Sequence, residues 1–133
     1  MKEMSRMIST NQCLISFDFD DTLAESCSIG WGGTMLVCIP EYLQLLREYH
    51  ALGCKCIILT ARTPKMEHIS EINEFMKRYE IDELIADIVF TSHEPKGPIA
   101  NAMGVHLHYD DSDRHLESVR SYGIFAVSTK KIA

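Results

Sequence analysis

The sequence predicts an α/β domain in three layers, a parallel sheet of about five strands with helices on both faces. Three observations predict it. Short apolar runs rich in β-branched and aromatic residues recur along the chain. Stretches of helical periodicity separate them. No Pro/Gly-rich linker or repeat divides the chain, and its 133 residues suit one domain spanning 1–133.

The first run is Cys13-Leu14-Ile15-Ser16-Phe17. The segment from Leu23 to Cys38 breaks the rhythm, with Gly30, Gly32, Gly33 and the only tryptophan, Trp31. It predicts a loop or hairpin inserted after the first strand, a flap at about residues 23–38. Tyr42, Leu45, Leu46, Tyr49 and Leu52 then lie on one helical face, which Gly53 ends. Cys56-Ile57-Ile58-Leu59 is the second strand of the sheet. Ile69, Ile72, Phe75, Met76 and Tyr79 make the next helical face, and Thr63-Pro64 predicts its cap and first turn. Ile88-Val89-Phe90 follows as a strand, then a short helix from Pro98 to Met103 before Gly104. His106-Leu107-His108-Tyr109 is the fourth strand of the sheet, a helix fits Asp113 to Tyr122 with Ser112 or Asp113 as cap, and Ile124-Phe125-Ala126-Val127 is the fifth. Strand and helix in alternation give a Rossmann-like sheet.

Composition narrows the class. Apolar residues make up 46% and charged residues 24%, which excludes a disordered, collagen-like or coiled-coil chain. No apolar run approaches the roughly 18–20 residues that span a bilayer, so no membrane is expected. Met1 to Asn11 carries Lys2, Glu3 and Arg6 without an apolar stretch, unlike a secretion signal. The net charge of −6 argues against a long nucleic-acid track but leaves room for a local basic pocket. The five cysteines show no zinc-site spacing and predict reduced, mostly buried thiols in a cytoplasmic protein.

In an open parallel sheet, ligands sit beyond the carboxyl ends of the strands. Asp18-Phe19-Asp20-Asp21-Thr22 follows the first strand and Thr60-Ala61-Arg62 the second. Thr91 to Lys96 follows the third, and Asp110-Asp111-Ser112-Asp113-Arg114 the fourth. Carboxylates gathered at one edge repel each other unless a cation neutralises them, and an all-oxygen cluster suits Mg2+. Thr60, Arg62 and Lys96 supply the donors a phosphate needs. Each residue alone has a plainer reading. A single Asp after a strand is commonly a turn or cap residue, and a lone Lys is commonly solvated. Their joint placement at one end of successive strands is what those plainer readings do not predict.

These residues resemble the haloacid dehalogenase superfamily. Ile15-Ser16-Phe17-Asp18-Phe19-Asp20-Asp21-Thr22-Leu23 looks like its first motif, an apolar strand followed by Asp-x-Asp-x-Thr. Ile57-Ile58-Leu59-Thr60 looks like the second, Lys96 fits the third, and Leu107-His108-Tyr109-Asp110-Asp111 fits the fourth. The resemblance implies that Asp18 is the nucleophile, forming an aspartyl-phosphate, and that Asp20 is the general acid and then base. It implies that Thr60 and Lys96 hold the phosphoryl oxygens, although Lys65 stands as an alternative to Lys96. It implies an Mg2+ site from Asp18, the Asp20 backbone carbonyl, Asp111 and Asp110, with Thr22 supporting the turn that carries Asp18 and counted with the substrate-binding residues. An acid at Asp20 favours a phosphatase over the carbon–halogen-cleaving relatives. Asp21 replaces the usual Gly of the motif.

Thirty-eight positions separate Thr22 from Thr60 and thirty-six separate Thr60 from Lys96, so neither gap holds a cap domain. The resemblance is therefore to capless phosphatases. Thr60-Ala61-Arg62 and Asp110-Asp111 with Arg114 look closest to the phosphatase domain of polynucleotide kinase–phosphatases, without the kinase's phosphate loop. That implies a 3′-phosphate end of a nucleotide or nucleic acid as substrate. Trp31 is then a candidate for base stacking, or else packs under the flap, and Arg62 and Arg114 are candidate contacts to a second phosphate or the sugar edge. His106 and His108 share a strand face and read as packed histidines. Two other classes stay open. One is a small-metabolite or free 5′-nucleotide phosphatase whose site an oligomer neighbour closes. The other is a non-catalytic binding protein on this fold.

Overall fold

The computed structural model describes residues 13–131. The expectation for Met1 to Asn11 lies outside the described residues. Among the described residues, seven strands and four helices follow in the order β1 (Leu14–Phe17), β2 (Ala24–Gly30), β3 (Gly33–Cys38), α1 (Pro40–Ala51), β4 (Lys55–Thr60), α2 (Met66–Arg78), β5 (Ile85–Phe90), α3 (Gly97–Met103), β6 (Leu107–Asp110), α4 (Asp113–Arg120) and β7 (Phe125–Ser128). Five strands form one parallel sheet in the order β5-β4-β1-β6-β7, and β2 and β3 form a separate antiparallel hairpin. The hairpin is the expected flap.

Side chains alternate between the two faces of each strand, which sorts the core into two halves. Ile15, Phe17, Cys56, Ile58 and Tyr109 pack with Leu43 and Leu46 of α1 and Ile72, Phe75 and Met76 of α2. Leu14, Ile57 and Leu59 pack with Ala100 of α3 and Val119 of α4. Chain order thus runs outward from β1 to β4 and β5 across one face, then returns to β6 and β7 across the other. The carboxyl end of β1 is where that direction reverses, the place where such sheets bind ligands.

Several local expectations change. The second helix starts at Met66 with Lys65 in the cap position, not at Thr63-Pro64. Thr63 instead gives its carbonyl to the Lys65 N–H and to His68 Nδ1. The cysteines are all free, but only Cys56 is buried, because Cys13, Cys27, Cys38 and Cys54 lie at strand ends or on the hairpin. His106 precedes β6 and is exposed, its Nδ1 accepting the Leu14 N–H, so of this pair His108 alone is packed. Among the described residues, no helix is long and apolar enough to cross a membrane.

Candidate active site

The turn after β1 is tied on both sides. The Asp18 N–H bonds the Tyr109 carbonyl at 2.8 Å and extends the pairing of β1 with β6. The Phe19 carbonyl accepts the N–H groups of Thr22, Leu23 and Ala24, and Asp21 N–H bonds the Ala24 carbonyl. Asp21 sits at φ 62°, left-handed backbone that glycine adopts without strain and Asp tolerates better than most residues. That explains why this position takes Gly in the motif. Thr22 is fully buried, and its hydroxyl pairs with the Thr129 hydroxyl at 2.9 Å. Thr22 therefore braces the turn against the segment after β7.

The loop after β5 is fixed by backbone alone. The N–H groups of Thr91, Ser92 and His93 bond the carbonyls of Thr60, Arg62 and Ala61, and Ser92 and His93 both adopt left-handed φ. The loop delivers Lys96 to the start of α3. Gly97 then lets α3 close on α4: a Cβ there would lie 2.3 Å from the Ser118 carbonyl oxygen. The Gly97 N–H bonds the Ser118 hydroxyl at 2.9 Å.

Lys96 is wholly buried between two carboxylates. Its Nζ donates to Asp18 Oδ1 at 2.8 Å and to Asp110 Oδ2 at 2.7 Å. Lys65, the alternative lysine, is exposed at the head of α2. Asp110 also accepts from His108 Nε2 at 2.7 Å on Oδ2 and from the Ser112 N–H at 3.0 Å on Oδ1. Burial works against charge on Asp110, but the His108 and Lys96 donors outweigh it and hold its carboxyl below the usual range. Asp18 goes the other way. Burial pushes its carboxyl well above the usual range, with the Asp110 charge adding to the shift and Lys96 opposing it. Burial likewise lowers the His108 imidazole, against the pull of Asp110.

Carboxylate oxygens of Asp18, Asp110 and Asp111 come within 4.8 Å of one another. Three hard oxygen donors and one lysine leave net negative charge at the strand ends, so the donor set fits a hard divalent cation. Asp20 is placed otherwise. Its carboxylate, half exposed, takes both arms of the Arg62 fork, Nε to Oδ2 and NH2 to Oδ1, each at 2.8 Å. Arg62 also bonds Glu71 at 2.6 Å and lies over the Phe19 ring at 5.2 Å. The structure thus commits Arg62 to Asp20 and Glu71, and turns none of these bonds toward a second phosphate or a sugar. Thr60 ends β4, buried, its hydroxyl accepting the Arg62 N–H at 3.2 Å. Arg114, on α4, is exposed and donates to the His93 carbonyl at 3.1 Å, beside the loop that carries Lys96.

Trp31 does not pack under the flap. It stands fully exposed at the tip of the β2–β3 hairpin, at φ 55°, between Gly30 and Gly32, which are also left-handed. A bulky residue in that conformation is strained and points to a use outside the fold. Ile29 and Met35 are exposed beside the tip. Between hairpin and sheet, a cleft of about 180 Å³ opens beside Asp111, lined by Asp21, Glu25, Thr129, Lys130 and Lys131 among others. Lys130 and Lys131 pair with Asp113 and Glu25. Sequence reasoning gave Ser16 no role, read His108 only as a packed histidine and gave Lys131 no role. For the first two the signal is a polar residue two positions before an acid inside an apolar strand.

No protein-family model matches the sequence, and no curated protein matches it. Among solved structures, a chain of the Pnkp1/Rnl/Hen1 complex is similar over 90% of this chain and 46% of that one, with a TM-score of 0.66 and 16% identity. This chain thus spans less than half the length of that neighbour, and the likeness is one of fold.

Proposed function

We propose that the chain is a phosphomonoesterase that works through an aspartyl-phosphate, acting on the 3′-phosphate end of a nucleotide or nucleic acid. One observation carries the chemistry: Lys96, buried, bridges Asp18 and Asp110 at the reversal point of the sheet, with Asp111 beside them. The resemblance of the sequence motifs gives those residues their roles.

Asp18 attacks phosphorus, forming the Asp18–phosphorus bond while the bond to the leaving oxygen breaks. Asp20 gives that oxygen its proton. Arg62 holds both oxygens of Asp20, so Asp20 takes up the proton it gives only when one of those two bonds opens, and the remaining bond keeps the acid oriented. Asp20, now a base, then takes a proton from the water that adds to phosphorus, and the Asp18–phosphorus bond breaks to release phosphate. Lys96 and Thr60 donate to the phosphoryl oxygens throughout. Mg2+ held by Asp18, Asp111, the Asp20 carbonyl and Asp110 would supply further neutralisation of the charge on those oxygens. Among the described residues no cap domain covers the site, and Trp31 stands free on the hairpin as a platform for a terminal base, where stacking is worth roughly 1–3 kcal/mol. The neighbour in the Pnkp1/Rnl/Hen1 complex is consistent with this through its fold.

Phosphate release with Mg2+ from a matched panel tests the reading: oligonucleotides phosphorylated at the 3′ or 5′ end, free nucleotides and sugar phosphates. Preference for the 3′-phosphorylated end is expected, and loss of release in Asp18→Asn. The exposed Ile29, Trp31 and Met35 favour one second reading, in which a neighbouring subunit covers the hairpin and the substrate is a small metabolite or free 5′-nucleotide. A stable oligomer with preference for free nucleotides or sugar phosphates would replace the first reading with that one. Binding of these compounds without release would leave a non-catalytic protein.

A further inference from the structure

Ser16 and His108 are wholly buried in the sheet, at positions where the neighbouring residues on that face are aliphatic. Each lies two residues before a site acid, so Ser16 shares a strand face with Asp18 and His108 with Asp110. They meet across the β1–β6 pair, Ser16 Oγ to His108 Nδ1 at 2.7 Å. His108 Nε2 continues to Asp110, Asp110 to Lys96, and Lys96 to Asp18. An unbroken chain of hydrogen bonds thus runs through the sheet from Ser16 to Asp18, and nothing in the proposed chemistry uses its inner half.

We propose that His108, anchored by Ser16, is a positioning residue that fixes the Asp110 carboxylate so that Lys96 is presented to Asp18 and to the phosphoryl group. The inference rests on the phosphatase reading above. Lys96 has three N–H donors, and two are engaged by carboxylates that compete for one ammonium. The carboxylate with fewer other donors draws it in. A carboxylate only accepts, so His108 Nε2 must be the donor to Asp110 Oδ2, while Ser112 N–H serves Oδ1. Both oxygens of Asp110 are held, and the carboxylate does not rotate. Without His108, Oδ2 keeps Lys96 alone, and the ammonium shifts away from Asp18. Misplacement by about 1 Å at a reacting centre costs about 100-fold.

The test compares His108→Leu, which keeps bulk but no donor, with His108→Gln, whose amide brings an N–H to the place of Nε2. Kinetic constants are read on the best substrate of the panel. His108→Leu is expected to lower kcat about 10–100-fold, the range for residues that orient a site from behind, with KM changed less than about threefold. His108→Gln is expected to recover most of the loss. Full kcat in His108→Leu, or equal losses in both variants, would mean that His108 only fills space. Should His108→Leu fail to fold, Ser16→Ala decides, since it removes only a hydroxyl: a fall in kcat with KM held is expected, and wild-type kcat overturns the role. A readout independent of turnover is the nitrogen chemical shift of His108, assigned against His108→Gln. A protonated Nε2 is expected, and an Nε2 without hydrogen breaks the chain. No release from the wild type overturns the phosphatase reading; release from the wild type with full kcat in His108→Leu overturns the positioning role alone.

Discussion

Under α1 and α2 the sheet is apolar: Ile15, Phe17, Cys56 and Ile58 are buried, and Phe17 stacks on Tyr109 with ring centroids 5.1 Å apart. Under α3 and α4 the same strands bury Leu14, Ile57 and Leu59 together with Ser16, Asp18, His108 and Asp110, with Lys96 among them. Burial of a large side chain on the first face stabilises the fold by about 1.5–3 kcal/mol. Burial of charge on the second face costs free energy that pairing returns only in part. The difference teaches that one face holds the molecule together while the other tolerates a net cost to keep charged groups together. A period of two along each strand is enough to separate the jobs.

Substitutions on the two faces should therefore fail in different ways. The largest effect is expected from Asp18→Asn, which should cut phosphate release by at least about 1000-fold in a kinetic assay, as loss of a nucleophile does. The same variant should melt no lower than the wild type. Its pH dependence should also change, and the sign follows from the raised carboxyl of Asp18. An unfolded Asp ionises near about 3.9, whereas folded Asp18 ionises later, so wild-type stability declines as pH rises from about 4 through the folded value. Asp18→Asn should remove that component of a melting-temperature profile, and an unchanged profile would contradict the assignment. Asp110 has the opposite sign: its contribution is present above the unfolded value and is lost as pH falls through its depressed folded value.

Phe17→Ala should come next, at about 3–5 kcal/mol of stability by denaturant titration. Equal losses of stability in Phe17→Ala and Asp18→Asn would erase the contrast between the faces. Gly97→Ala should cost about 1–3 kcal/mol, since the added carbon must push α3 off Ser118, and release should fall with it because Lys96 moves. Trp31→Ala should be the mildest, leaving stability within about 0.5 kcal/mol because the ring is fully exposed. If the hairpin stacks on a base, that variant raises KM for an oligonucleotide and not for a sugar phosphate.

Much of this was legible in the sequence because the sheet converts position into proximity. Asp18, Thr60, Lys96 and Asp110 stand at or after the ends of their strands, and parallel pairing brings those ends to one edge. The flap was legible from Gly30, Gly32 and Gly33, with Gly30 and Gly33 flanking the Trp31–Gly32 turn. Arg62 was not. Whether a guanidinium reaches out to substrate or back to Asp20 depends on side-chain torsions and on Glu71, a turn into α2. Gly97 was silent because it is there for closeness, not for a left-handed turn. Thr63 looked like a cap because Pro64 followed it, yet its carbonyl serves Lys65 and His68 in a turn outside the helix. His108 was legible as buried, but its bond to Asp110 needed the register of β1 and β6.

The wiring of the site also bears on how the chain folds. Ser16 meets His108 across 92 residues and Asp18 meets Lys96 across 78. β1 comes first among the described strands, and its partner β6 follows in the chain only after α1, β4, α2, β5 and α3. Contacts so distant along the chain are late and slow to form. A nascent or partly unfolded chain can hold β1, β4 and β5 together and still lack both Asp110 and the seat of Lys96. In the proposed phosphatase the site is complete only once β6 has paired with β1, so recovery of phosphate release during refolding would report that pairing.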